Sequence, residues 1–90
     1  MDDREEILDA LSDELGIEIP DEVLHSVWTV KDVEDVAIAL TSAQQPDTLT
    51  ALGESGIRQR VRQTISDQMS LPIERIVPGA RLFGDLGMNH

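Results

Sequence analysis

The chain has 90 residues, of which 40% are hydrophobic, which is enough for one small domain with a mainly aliphatic core. It contains no cysteine, which excludes disulfides, thiolate metal sites and thiol nucleophiles. Its formal net charge of −11 disfavours binding to nucleic acid and to anionic lipid headgroups.

The first helix of the chain is predicted between Arg4 and Leu15, where apolar residues recur at helical spacing and acids occupy the other positions. Gly16 follows as the expected stop, because glycine readily adopts the positive φ of a helix C-terminus. Asp21 comes directly after a proline and is predicted to cap a short helix that ends near Val27.

A further pair of helices is predicted on either side of a linker. Thr29 and Asp32 form a capping-box pattern at the start of a helix that runs to about Leu40. Residues 41–54 are polar, have no clear period and are predicted to be a linker. Ser55 is predicted to cap the next helix, whose apolar stripe is Ile57, Val61, Ile65 and Met69.

The last part of the chain, from Ser70 to Gly87, is predicted to be a long loop that packs on the core. Prolines and glycines interrupt any helix there, but apolar residues recur throughout. Together these elements predict an all-α fold with four helices, one of them short.

The negative charge is concentrated in the first part of the chain. Residues 1–40 contain thirteen acidic side chains and two basic ones, whereas residues 41–90 contain five of each. Such a field attracts basic protein surfaces, and the alternative is that the acids only keep a small protein in solution. No apolar run approaches the ~20 residues of a membrane span, and the acidic N-terminal sequence is unlike a signal peptide. We therefore expect a cytoplasmic protein with no membrane span.

Two segments resemble the two halves of an acyl carrier protein, but in reversed order. Residues 15–22 (LGIEIPDE) and 29–32 (TVKD) are similar to the second half of that family. Residues 72–76 (PIERI) and 80–87 (ARLFGDLG), after the helix that contains Ile57, are similar to its first half. The resemblance implies a circularly permuted, acyl-carrier-protein-like four-helix bundle formed by a single domain, residues 1–90. Residues 1–40 then correspond to the second half, 41–54 to a linker and 55–90 to the first half.

The same resemblance places a cofactor site at the end of the second segment. Carrier proteins attach 4′-phosphopantetheine to the serine of a D-L-G-x-D-S motif, and Asp85, Leu86 and Gly87 match its first three residues. His90 stands in the serine slot and cannot form the phosphodiester, so the cofactor is implied by the family but expected to be absent here. Ser55 is the alternative serine, although a capping role explains it better.

The resemblance also assigns a role to the acids. In the family, acids on the second and third helices contact arginine and lysine on partner enzymes, and the matching positions here are Asp3, Glu6, Asp13, Asp21 and Glu22. Asp2 and Glu5 depart from the pattern, because carrier proteins usually have apolar residues there.

Two functions follow from this comparison. The first is a carrier-like domain of fatty acid biosynthesis or related acyl metabolism, which carries or formerly carried acyl intermediates and docks the basic surfaces of acyl-transfer or biosynthetic enzymes. The alternative is a protein-interaction module of the same fold without a prosthetic group, as a monomer or as a domain-swapped dimer. The sequence has no pattern of catalytic or metal-binding residues, so we expect neither an enzyme nor a metal site.

Overall fold

A computed structural model of the chain describes residues 3–87. These residues form three α-helices, α1 (Asp3–Leu15), α2 (Val30–Gln44) and α3 (Pro46–Met69). Two short 3₁₀-helices, η1 (Asp21–His25) and η2 (Ile73–Arg75), follow α1 and α3 respectively. The described part contains no β-strand, and the all-α prediction is confirmed.

Helix α1 agrees with the prediction to within one residue. Its apolar stripe, formed by Ile7, Leu8, Leu11 and Leu15, is buried in the core. Gly16 ends the helix with φ of +67°, in the left-handed region that glycine enters without steric cost.

The short helix η1 differs from the prediction in its start and in its length. Pro20 precedes it with an extended backbone, and the helix has no capping bond from a side chain, so the predicted cap at Asp21 is wrong. Backbone bonds instead form the turns, from Val23 N–H to the Pro20 carbonyl at 3.0 Å and from Ser26 N–H to the Val23 carbonyl at 2.9 Å. The first of these bonds uses the Val23 N–H, which a side-chain cap at Asp21 would otherwise have satisfied.

Helix α2 begins with the predicted capping box. The Thr29 hydroxyl accepts a bond from the Asp32 N–H at 3.2 Å, and the Asp32 carboxylate accepts the N–H groups of Thr29 and Trp28 at 3.1 and 3.0 Å. The capping box therefore satisfies the backbone N–H groups of Thr29 and Asp32, and the Trp28 N–H, just before the cap, forms a third bond to the Asp32 carboxylate.

The predicted linker at 41–54 is wrong, because almost all of it is helical. Helix α2 continues to Gln44, only Gln45 separates it from α3, and Pro46 stands at the first position of α3, where its missing N–H costs no bond. Gly53, with φ of +70°, kinks α3. Ser55 lies inside α3, exposed and with no bond from its hydroxyl among the described residues, so it is not the predicted cap.

The segment after α3 packs on the core, as predicted. Its anchors are buried: Ile76, Ala80, Leu82 and Leu86. The Val30 N–H donates to the Ala80 carbonyl at 3.0 Å, and the Leu82 N–H donates to the Trp28 carbonyl at 2.9 Å. These bonds hold residues 80–82 against the start of α2. The shared core is completed by α3, whose Ile57, Val61 and Ile65 are fully buried.

Candidate functional site

A strongly acidic surface is formed by α1, η1 and the loop between them. We call the exposed acids of these segments the acidic face: Glu5, Glu6, Asp9, Asp13, Glu14, Glu18, Asp21 and Glu22. Between residues 3 and 29 the only arginine or lysine is Arg4, and its side chain is buried. The acidic face therefore has no arginine or lysine of its own segments at its surface, and its one basic side chain is the exposed His25 of η1.

Almost all of this charge is left without an ion pair. Glu14 is the exception, since its carboxylate lies 2.9 Å from Arg60 Nη1 and accepts a bond from the Thr64 hydroxyl at 3.2 Å. The other ion pairs within residues 3–87 use Glu34, Asp35 and Asp85, which lie outside the acidic face. The negative field is consequently directed at solvent and at any docking protein.

The predicted partner-binding acids all lie on α1 and η1. Glu6, Asp13, Asp21 and Glu22 are exposed, and Asp3, at the start of α1, is partly exposed. These residues therefore come from two separate sequence segments, α1 and η1, which contact each other in the fold.

A groove runs between α1 and η1 within the acidic face. It has a volume of about 300 Å³. It is lined by the apolar side chains of Leu8, Ile19 and Leu24, by the acids Glu5, Asp9 and Asp21, and by Ser12, Pro20 and His25. Of the acids in the groove only Asp21 was predicted as a partner contact, and the groove itself was not predicted, because it combines one helix face with a residue twelve positions further along the chain.

Arg4 joins the first turn of α1 to the segment that contains the D-L-G motif. Its Nη1 donates to the Val27 carbonyl at 3.1 Å, and its Cζ lies 4.5 Å from the ring centre of Phe83 and 5.3 Å from that of Trp28. The two rings meet edge to face at 6.1 Å. Sequence reasoning missed this cluster. The only hint in the sequence was that the chain has just two aromatic residues, Trp28 and Phe83, which both turn out to contact Arg4.

Two of the three motif residues in this segment have structural contacts. The Asp85 carboxylate accepts the Arg81 N–H at 2.8 Å, and this bond, followed by the Arg81 side chain, lowers the pKa of Asp85 below its ordinary value. Leu86 is buried, and Gly87 has φ of +72°. Asp85 therefore closes its own turn, and Leu86 anchors that turn to the core.

The serine slot offers no group for the cofactor. His90 lies outside the described residues, and residues 80–87 contain no serine. Ser55 lies on α3 and is not among the residues that line the groove. The residues present do not fit the attachment of phosphopantetheine to the motif.

The described part of the chain shows neither a metal-binding cluster nor a membrane-spanning helix. Between residues 3 and 87, no group of three or more histidine, cysteine or acidic side chains is placed to hold a metal ion. No helix in the same range has the length and apolar character needed to span a membrane.

No protein-family model matches the sequence, and no curated protein or solved structure matches it significantly.

Proposed function

We propose that the chain is an acyl-carrier-like domain that docks the basic surfaces of acyl-transfer or biosynthetic enzymes. The observation that carries this proposal is the acidic face, on which eight exposed carboxylates lie on α1, η1 and their connecting loop, and only Glu14 is ion-paired. Charge of one sign on one face steers an oppositely charged partner and orients it on docking.

The permuted order of the two halves is supported by the position of Arg4. This residue, in the first turn of α1, packs on Phe83, four residues before Gly87. In a carrier protein of ordinary order, the D-L-G motif leads directly into the helix that α1 resembles. Closeness of these segments is what a circular permutation of that fold requires.

The alternative is a domain with the same docking surface and no prosthetic group. The feature that favours it is His90 in the serine slot. Incubation with a phosphopantetheinyl transferase and coenzyme A, followed by intact-mass analysis, separates the two functions. An unchanged mass supports the unmodified module, and a gain that maps to Ser55 supports a carrier with a displaced attachment site.

The docking proposal is tested with a β-ketoacyl synthase that uses acyl carrier proteins, by measuring its affinity for the chain at low and high salt. The variant Glu6→Gln/Asp13→Asn/Glu22→Gln removes three charges from the acidic face, and we expect it to weaken binding by about tenfold at low salt. The control Asp47→Asn/Glu54→Gln/Glu74→Gln removes three exposed charges elsewhere. Equal losses for both variants, or no binding of the native chain, would contradict the proposal.

A further inference from the structure

We propose that Gln44 and Gln45, at the end of α2, are positioning residues of the docking surface. Their side chains fix the backbone that leads into η1, and they thereby set where Asp21 and Glu22 stand relative to the acids of α1. This inference rests on the proposed function, because it names the residues that hold the two parts of the acidic face in one arrangement.

The connection between α1 and η1 is bonded through its backbone to the end of α2. The Gln44 carboxamide bonds both backbone groups of Glu18, since its Oε1 accepts the N–H at 2.7 Å and its Nε2 donates to the carbonyl at 2.8 Å. Gln45 Nε2 donates to the Gly16 carbonyl at 3.1 Å. A carboxamide that donates and accepts at one residue pairs with the backbone as a neighbouring antiparallel strand does, so it fixes direction as well as distance.

These bonds are important for the position of η1 because its own packing is slight. No side chain of η1 is buried, and only Val23 and Leu24 are half-buried against the core. The nearest buried residues are Ile17 before the helix and Val27 after it. The segment between these two anchors is therefore located mainly by the way in which its ends are held.

The two ends of this segment are held by different helices. The later end is tied to α1, because Arg4 Nη1 donates to the Val27 carbonyl at 3.1 Å. The earlier end is tied to α2 by the two glutamines. Pro20 transmits that position into η1, since its ring restricts φ and its backbone is extended, with φ of −63° and ψ of 146°. Asp21 follows directly, so the acids of η1 are placed through a helix that contributes no residue to the acidic face.

A fixed position of η1 favours docking because α1 and η1 supply their charges from separate segments. A partner contacts both segments at once only when their separation matches the spacing of its own basic side chains. When the earlier end is released, η1 keeps its charge but occupies several positions. Binding then has to order the segment, and the conformational entropy lost on ordering offsets the electrostatic gain. The glutamines thus raise affinity without supplying charge.

The test removes the bonds of the glutamines and keeps the size and the charge of their side chains. The positioning variant is Gln44→Met/Gln45→Met, and the control is Gln59→Met/Gln68→Met, whose residues are exposed on α3. The first readout is the hydrogen-exchange rate of the Glu18 amide, followed by NMR well below the unfolding transition. We expect this rate to rise by about tenfold or more in the positioning variant and to stay unchanged in the control.

The second readout distinguishes a positioning role from a loss of stability. Affinity for the β-ketoacyl synthase is measured at low salt in the native and the positioning backgrounds, each with and without the pair Asp21→Asn/Glu22→Gln on η1. We expect this pair to weaken binding by about fivefold in the native background. In the background of Gln44→Met/Gln45→Met it should weaken binding by less than about twofold, because the acids of η1 are no longer held in place there.

The matched comparison is the pair Glu6→Gln/Asp13→Asn on α1, which we expect to weaken binding by the same factor in both backgrounds. An equal effect of the η1 pair in both backgrounds, or an unchanged exchange rate of Glu18, would overturn the inference and leave the docking function in place. A smaller effect of the α1 pair in the positioning background would overturn it too, since the whole fold is then disturbed. Failure of the native chain to bind the synthase would overturn the docking function and the inference together.

Discussion

At the scale of single residues, the ends of α1 and α3 are built in the same way. Each helix has a serine in its last turns whose carbonyl accepts the backbone N–H of the residue five positions later. The Ile17 N–H donates to the Ser12 carbonyl and the Leu71 N–H donates to the Ser66 carbonyl, both at 3.1 Å. The hydroxyl of each serine donates back to the carbonyl of the same later residue. This reciprocal pair satisfies groups that a helix C-terminus otherwise leaves open.

The two helix ends differ in the residue that takes the left-handed conformation, which is Gly16 after α1 and Ser70, with φ of +55°, after α3. We expect Ser70→Gly to raise the free energy of unfolding, and Gly16→Ser to lower it, each by about 0.5–1 kcal/mol. A Cβ at Gly16 would meet only Gln45 Nε2, at 4.0 Å, so the effect comes from the backbone and not from a clash. Urea unfolding measures both changes, and a destabilised Ser70→Gly protein would contradict this explanation.

At the scale of helices, the pairing of α2 with α3 depends on a buried charge. Glu34 is 1% exposed, and its carboxylate oxygens lie 3.3 Å from Arg58 Nη1 and 3.6 Å from Arg62 Nε. At 3.6 Å, Arg62 Nε forms an ion pair with Glu34 Oε2 but no hydrogen bond. Glu34 Oε2 is therefore buried without a hydrogen-bond partner, and only the nearby positive charge compensates it. Both arginines come from α3, so the buried charge of α2 is stable only while α3 is in place.

Removal of both arginines is therefore expected to destabilise the protein. We predict that Arg58→Ala/Arg62→Ala lowers the free energy of unfolding by about 2–3 kcal/mol, because it leaves an uncompensated carboxylate in the core. Adding Glu34→Gln to that variant is expected to recover part of the loss, since no buried charge then remains. Chemical denaturation of the single, double and triple variants measures the coupling, and purely additive losses would contradict it.

The helices that could be predicted from the sequence are those with an unbroken apolar period or an explicit cap. Val61 and Ile65 continue one stripe, and Thr29 with Asp32 marks a start, so the sequence predicts the later part of α3 and the beginning of α2 correctly. The helical character of 41–54 was missed because Gly53 divides α3. Leu49 and Leu52 are the only apolar contacts of the short piece before it, too few to show a period.

The candidate site was predicted only in its chemistry. Acids on α1 are visible in the sequence as the exposed positions of an amphipathic helix. The groove also requires that η1 places Asp21 opposite Glu5 and Asp9, and the buried Arg4 depends on rings from residues 28 and 83. Contacts of such sequence separation arise from tertiary packing, which local patterns do not specify.

At the scale of the whole molecule, the proposed carrier-like fold would account for both the charge and the chain order. The acidic face lies on the part that resembles the second half of a carrier protein, and Phe83 of the other half packs on Arg4 at its start. If the fold is a permuted carrier, restoring the ordinary order should place residues 85–90 directly before α1. It should then need only the missing acid and serine to become a substrate for modification.

The most direct test is a reordered chain, residues 54–90 followed by 2–53, that carries Asn89→Asp and His90→Ser. Incubated with a phosphopantetheinyl transferase and coenzyme A, it is predicted to gain the mass of one phosphopantetheine, mapped by fragmentation to position 90. The same reordered chain with Asn89→Asp alone is the control and should gain none. A reordered double variant that is helical and unfolds cooperatively, yet gains no mass, would contradict the carrier-like account.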